Sequence, residues 1–103
     1  MIKVSVMYPS VDGARFDMAY YKDKHMAMVR DAVGDACRRI VVEAGLNKEQ
    51  CGVPSPYVAV GHLYFDSLSD FQQAFGPHRK AFAADVANYT DLAAVMQISE
   101  VLE

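Results

Sequence analysis

The residue in this sequence best suited to chemistry is His25, because an imidazole can take up and release a proton near neutral pH. It lies in the stretch 16–30, which has the pattern of an amphipathic helix. Residues three and four positions apart share one helix face, and here that face holds Tyr21, His25, Met28, Val29 and Ala32. The histidine is therefore either a hydrogen-bonded core residue or the polar group of a pocket, and the spacing supports both interpretations equally.

A few other side chains could take part in chemistry. Tyr21 lies one helical turn before His25 and could donate to a substrate oxygen, although an aromatic residue at this spacing is more often a packing residue. His62 and Tyr64 share one face of a predicted strand, where they line either a cavity or, the preferred interpretation, a subunit interface. His78 is assigned no role. The three histidines lie on different elements without His-x-Glu or Cys-x-x-Cys spacing, so the sequence predicts no metal site.

Composition limits the possible partners of the chain. Ten basic against 13 acidic residues give a net charge of -3, which lacks the clustered positive charge needed to bind nucleic acid. A hydrophobic content of 52% is more than a small monomer needs and favours a homo-oligomer. No stretch resembles a signal peptide or a membrane span. With two unpatterned cysteines, Cys37 and Cys51, the chain is expected to be a reduced, cytoplasmic protein that binds no membrane.

The elements that must position these residues follow from hydrophobic periodicity. Residues 2–8 alternate between apolar and polar side chains, which predicts a strand. Asp17 is placed to cap the following helix through its carboxylate, with Phe16 and Tyr21 as a hydrophobic staple around the cap. Gly34 suits the end of that helix, because glycine readily adopts the left-handed conformation found there.

The rest of the chain contains three more predicted strands and one more helix. A β-branched run predicts a strand from Cys37 to Leu46, and the glycine and prolines of 47–56 predict a loop without regular structure. The strand predicted at 57–66 is apolar on both faces, which is typical of the middle of a layered structure. Ser67 caps a second helix, and Gly76-Pro77 should either kink it or divide it into two short helices.

With a last strand over residues 92–102, the order becomes strand, helix, strand, strand, helix, strand. This order predicts one ferredoxin-like α+β domain, residues 1–103, with a four-stranded antiparallel sheet and both helices on one of its faces. The other face of the sheet then needs a cover. Face-to-face pairing with the sheet of a second copy supplies one, which predicts a homodimer.

Five stretches carry a resemblance to a known family, and they span nearly the whole chain: Met1–Pro9, Tyr20-Tyr21 followed by His25-Met26, Tyr57–Phe65, Asn88–Asp91 and Gln97–Val101. In order and spacing they resemble the EthD family, named after a protein associated with bacterial degradation of ethyl tert-butyl ether. The resemblance implies a dimeric α+β barrel with a pocket between sheet and helices. Many members have proline after the helix histidine, where this chain has Met26-Ala27, so its helix is expected to run straighter past His25.

The resemblance also implies which residues surround the pocket. It places His25 there as the proton-transfer group, with Tyr89 and Asp91 nearby, and Asp91 could orient the imidazole. The alternative, that Asp91 bonds the backbone of its own turn, is preferred. The expected pocket set is Tyr21, Met28, His62, Tyr64, Tyr89 and Asp91.

The family has no established reaction. Relatives by fold include monooxygenases that need no metal or flavin, muconolactone isomerases, haem-degrading enzymes and decarboxylases, so any activity is inferred by analogy. No cofactor is expected; haem ligation by His25 stays open, because one axial imidazole suffices, but the chain has no Trp and lacks the Asn and Trp set of haem-degrading relatives. The hypothesis is a homodimer that binds an apolar or aromatic organic molecule and moves a proton on it through His25, by oxygenation, isomerisation or elimination. The alternative is an accessory protein that binds a ligand without reaction, and a third interpretation makes His25 a core residue.

Overall fold

The structure is a computed structural model that describes all 103 residues. Its four strands form one antiparallel sheet in the order β2-β3-β1-β4. The strands are β1 (Ile2–Pro9), β2 (Cys37–Ala44), β3 (Tyr57–Phe65) and β4 (Val95–Glu100). The helices cover one face of this sheet, so the chain has the predicted ferredoxin-like α+β fold. β2 and β4 are shorter than the sequence predicted.

The strand residues divide between the two faces of the sheet as their alternation predicted. Val4 of β1 lies opposite Leu63 of β3, and both belong to the buried core beneath the helices. Ser5 lies opposite His62 on the outer face. Neighbouring residues of a strand point to opposite faces, so the faces follow from the sequence once the register is set.

The first helical region consists of three consecutive segments: α1 (Met18–Tyr20), a π-helical turn (Tyr21–His25) and α2 (Met26–Val33). The Asp17 carboxylate accepts a hydrogen bond from the Tyr20 amide at 3.1 Å, as predicted for its N-cap. The rings of Phe16 and Tyr21 pack at 5.2 Å between centroids, as the staple requires. Gly34 ends α2 with a φ of 61°, a conformation that side chains with a Cβ avoid. The π turn ends at His25 and a regular α-helix runs from Met26, so the expectation of a straighter helix past His25 stays a prediction.

The remaining helices lie between β2 and β4 in the sequence. They are α3 (Asn47–Cys51), α4 (Leu68–Phe75) and α5 (Arg79–Asp85). The short helix α3 corrects the prediction of an irregular loop, since the glycine and prolines of that segment all follow Cys51. A 3-10 turn, Gly76–His78, separates α4 from α5, as the Gly-Pro pair predicted. No helix is long and apolar enough to cross a membrane.

Candidate active site

A cavity of about 170 Å³ lies between the inner face of the sheet and the helices. Twelve of its 15 lining residues are hydrophobic. The sheet supplies Val6, Tyr8, Gly61, Leu63 and Met96, and the helices supply most of the rest, including Tyr21, His25, Met26, Phe82 and Ala83. Engineered apolar cavities of about this size bind benzene, so this one has room for a molecule built on a single ring.

The π turn determines which side chains reach the cavity. The Met26 amide donates to the Tyr21 carbonyl five residues back, one residue more than in an α-helix. The extra residue shifts the phase of the helix, so Met26 lies in the cavity wall. Met28, the residue that the sequence assigned to the pocket, packs against the core without lining the cavity. A strict 3.6-residue period cannot detect such a shift.

His25 is buried in the cavity wall and bonded to a carboxylate behind it. Its Nδ1 lies 2.8 Å from Oδ2 of Asp85. Asp85 is itself fixed, because its Oδ1 accepts hydrogen bonds from the Tyr20 hydroxyl at 2.7 Å and from the Asn88 amide at 2.9 Å. An ionised carboxylate only accepts hydrogen bonds, so Nδ1 carries a proton. In the neutral imidazole the lone pair is then on Nε2.

The surroundings of Asp85 favour its ionised form. Burial raises its pKa, but the hydrogen bonds from Asn88, His25 and Tyr20 outweigh this effect, so the pKa is lowered. A carboxylate that stays ionised can hold the tautomer of an imidazole and stabilise the imidazolium formed when Nε2 takes up a proton. His25 and Asp85 therefore have the arrangement of an oriented general base.

The partner of His25 is Asp85, which corrects the suggestion that Asp91 orients it. Asp91 is exposed, and its Oδ1 accepts a hydrogen bond from the Arg15 amide at 3.0 Å. Asp91 therefore bonds the backbone of a distant segment, and not that of its own turn as the preferred alternative had it. Asp85 could have been found from its spacing, since it lies three residues after Phe82 and so faces nearly the same direction on α5.

Tyr89 lies behind the cavity wall and not in it. It is fully buried, with its ring 4.7 Å from that of His25. Its hydroxyl shares a 2.5 Å hydrogen bond with the hydroxyl of Tyr8, which does line the cavity. Burial raises the pKa of both phenols, so both stay protonated at neutral pH. Tyr89 thus supports the site by packing rather than by contact with a ligand.

Tyr21 places a free phenol in the cavity. Its hydroxyl has no hydrogen-bond partner in the protein. Every fully buried polar side-chain atom of the chain does have a partner, so this hydroxyl is not fully buried. Because Tyr21 lines the cavity, its oxygen faces the open space there. Burial raises its pKa, which keeps it a donor. Gly61 provides the space it occupies, because a Cβ at position 61 would collide with this hydroxyl.

The other predicted site residues lie elsewhere. His62 and Tyr64 point to the outer face of the sheet, so they do not line the cavity. His62 bonds Ser5 Oγ and Glu43 Oε1 there, each at 2.8 Å. Nowhere in the chain do three His, Cys, Asp or Glu side chains come together as a metal site would require.

Comparison with known proteins points to one family. The family model described as EthD domain matches residues 9–93. A crystal structure of an EthD-like protein from Ralstonia eutropha JMP134 is 48% identical, with 99% of this chain and 92% of that chain covered and a TM-score of 0.92. An EthD family protein from Bacillus halodurans C-125 is 19% identical, with 99% of each chain covered and a TM-score of 0.75.

A third structure extends the likeness of fold alone. It is a dimeric ferredoxin-like protein of unknown function from Thermobifida fusca YX, 14% identical, with 97% of this chain and 90% of that chain covered and a TM-score of 0.67. The comparison with curated proteins found no match.

Proposed function

This chain belongs to the EthD family, and from that premise and the geometry of its cavity we propose that it binds a small apolar organic molecule and transfers a proton on it through His25. The observation that carries the proposal is a buried imidazole with a fixed carboxylate on Nδ1 and an apolar cavity in front of Nε2. Most buried polar side-chain atoms have a hydrogen-bond partner in the protein or in ordered water. Here Nε2 has no hydrogen-bond partner in the protein.

The proposed step is the removal of a proton from an activated C–H or O–H bond of the ligand. The bond breaks, its electron pair stays on the ligand, and the proton goes to Nε2. The imidazolium is balanced by the Asp85 carboxylate, and the Tyr21 hydroxyl is placed to donate to an oxygen of the ligand that gains negative charge. Return of the proton to another ligand atom completes an isomerisation. In an elimination the electron pair expels a leaving group, and the proton passes from Nε2 to that group.

We expect this reaction to need no cofactor. The one ligand to haem iron that the sequence offered, His25, would face a cavity sized for a single ring, whereas a porphyrin has four linked rings. The nitrogen that would bind iron is also the one that the proposed step uses as a base.

The two free cysteines, Cys37 and Cys51, agree with a reducing cytoplasm as the place of action.

The binding step can be tested by filling the cavity from its exposed side. Ala83 lines the cavity at the surface, while its neighbour Ala84 is exposed and does not line it. We expect Ala83→Leu to weaken binding of a neutral ring probe such as anisole at least tenfold, and Ala84→Leu to leave it within twofold of wild type. Titration followed by amide NMR shifts at Gly61 and Met26 measures this. Equal affinities for both variants would contradict binding in this cavity.

The second part of the proposal is a homodimer formed through the outer face of the sheet. That face carries apolar and aromatic side chains that no helix covers: Met7, Val41, Val60 and Tyr64. A second sheet packed against it would shield them from water. One of the structural neighbours with this fold is itself dimeric.

Light scattering at micromolar concentration tests the dimer. We expect wild type to have the mass of two chains and Val60→Lys, which places a charge in the middle of the outer face, to have the mass of one. Val53→Lys is the matched control, because Val53 is exposed in the segment after α3 and should leave the dimer intact. A folded wild-type monomer would contradict the proposal.

A further inference from the structure

Arg79 is the one permanently charged side chain in the wall of the cavity. No Asp, Glu or Lys lies among the lining residues. Arg79 shares the cavity-facing stripe of its helical region with Phe82, Ala83 and Val86, the spacing of three, four and seven residues that defines one helix face. This arginine therefore stands where the pattern would otherwise place an apolar residue.

The guanidinium of Arg79 belongs to an exposed residue and has no anionic partner in the protein. It lies over the ring of Phe75, another wall residue, with its central carbon 5.7 Å from the ring centroid. It takes part in no ion pair and no side-chain hydrogen bond within the protein. Five N–H donors at the edge of an apolar cavity are thus free to meet a ligand.

Arg79 and Asp85, the carboxylate that fixes His25, lie at opposite ends of α5. Asp85, which fixes His25, is six residues after Arg79, and six residues of α-helix rise about 9 Å. That separation is about the length of one substituted ring. A ring lying along α5 would extend from the Arg79 end of this helix toward the end where Asp85 holds His25.

We propose that the natural ligand of this cavity is a monocyclic organic acid whose carboxylate pairs with Arg79 and whose reacting proton faces His25. Guanidinium and carboxylate match as a two-point hydrogen-bonded pair, and the apolar wall receives the ring. The inference rests on the proposed function of the cavity and adds to it the charge and orientation of the ligand.

Benzoate and its neutral isostere benzamide separate this inference from the binding function itself. At pH 7 and low ionic strength, wild type should bind benzoate at least tenfold more tightly than benzamide, as expected for a charge-assisted pair. Arg79→Met keeps the apolar stem of the side chain. This variant should bind benzoate about tenfold more weakly than wild type, and its affinity for benzamide should fall less than twofold. Lys80→Met is the matched control, because Lys80 is the neighbouring exposed cation outside the cavity wall and should change neither affinity.

Each other outcome overturns the inference in a recognisable way. Suppose that wild type binds benzamide and benzoate with equal affinity and that Ala83→Leu abolishes binding of benzamide. The cavity function then stands, and the proposed role of Arg79 fails. If Arg79→Met and Lys80→Met weaken the binding of benzoate equally, the cause is the general electrostatic attraction of the positively charged surface. Added salt should then abolish the effect. If neither compound binds to wild type, the inference fails together with the cavity function.

Discussion

Replacing His25 with glutamine should slow the exchange of the benzylic α-hydrogens of phenylacetone with D2O by about 10²- to 10⁴-fold, the usual contribution of a positioned general base. This neutral ketone contains a single ring, as the cavity requires, and its exchange consists of the proton-transfer step alone. Glutamine keeps an N–H that can bond Asp85 but has no basic nitrogen. Proton NMR follows the loss of the α-hydrogen signal with protein in excess.

His78→Gln is the matched control for this experiment. The His78 ring packs on Phe82 at 5.9 Å but does not line the cavity, so the exchange rate should stay at the wild-type value. Equal rates for wild type and His25→Gln would exclude His25 as the base and favour the accessory, ligand-binding alternative. If His25→Gln instead lowered the free energy of unfolding by several kcal/mol, about the cost of breaking a buried network, His25 would be a structural residue.

The second large effect is expected at Tyr89. Its ring packs against five others, those of Tyr8, Phe16, Tyr20, Tyr21 and His25, at centroid distances of 4.7 to 6.1 Å. Truncation of a buried aromatic residue to alanine costs about 3 to 5 kcal/mol, a large part of the stability of a chain this size. We expect Tyr89→Ala to lower the free energy of unfolding by about 4 kcal/mol, measured by denaturant titration at constant protein concentration.

A double-mutant cycle separates this packing from the hydrogen bond between the two phenols. Tyr89→Phe and Tyr8→Phe should each lower the free energy of unfolding by about 1 kcal/mol, because each variant leaves the remaining hydroxyl without its partner. The double variant should cost less than the sum of the two, since it leaves no unpaired phenol at this pair. Additive costs would contradict a direct bond between Tyr8 and Tyr89.

The same ring packing explains how the cavity keeps its shape. Tyr89 and Tyr21 both pack against the His25 ring, at centroid distances of 4.7 and 5.8 Å. Their own rings lie 5.1 Å apart, so both phenols support the imidazole from the same side. The imidazole is therefore fixed by rings as well as by Asp85. A base held in this way needs little reorganisation when it accepts a proton.

The sequence alone was sufficient for the fold class, the order of the elements, the Asp17 cap, the end of the first helical region at Gly34 and the break at Gly76-Pro77. These features depend on side chains within a few positions of each other, and periods of 2 and 3.6 residues report them directly. The sequence also indicated His25, because a titratable ring on an apolar stripe is visible in the pattern alone. The identity of its partner was not predicted.

Only the tertiary structure decided what surrounds His25. Asp85 is 60 residues away along the chain, and the hydroxyls of Tyr8 and Tyr89 are 81 residues apart. Such contacts depend on how the helices dock on the sheet, which no local period encodes. Because of the π turn at Tyr21–His25, Met26 lines the cavity in place of Met28. One extra residue in a helical turn changes which later residues lie on that face. His62 and Tyr64 fell outside the cavity because the helices cover only the other face of the sheet.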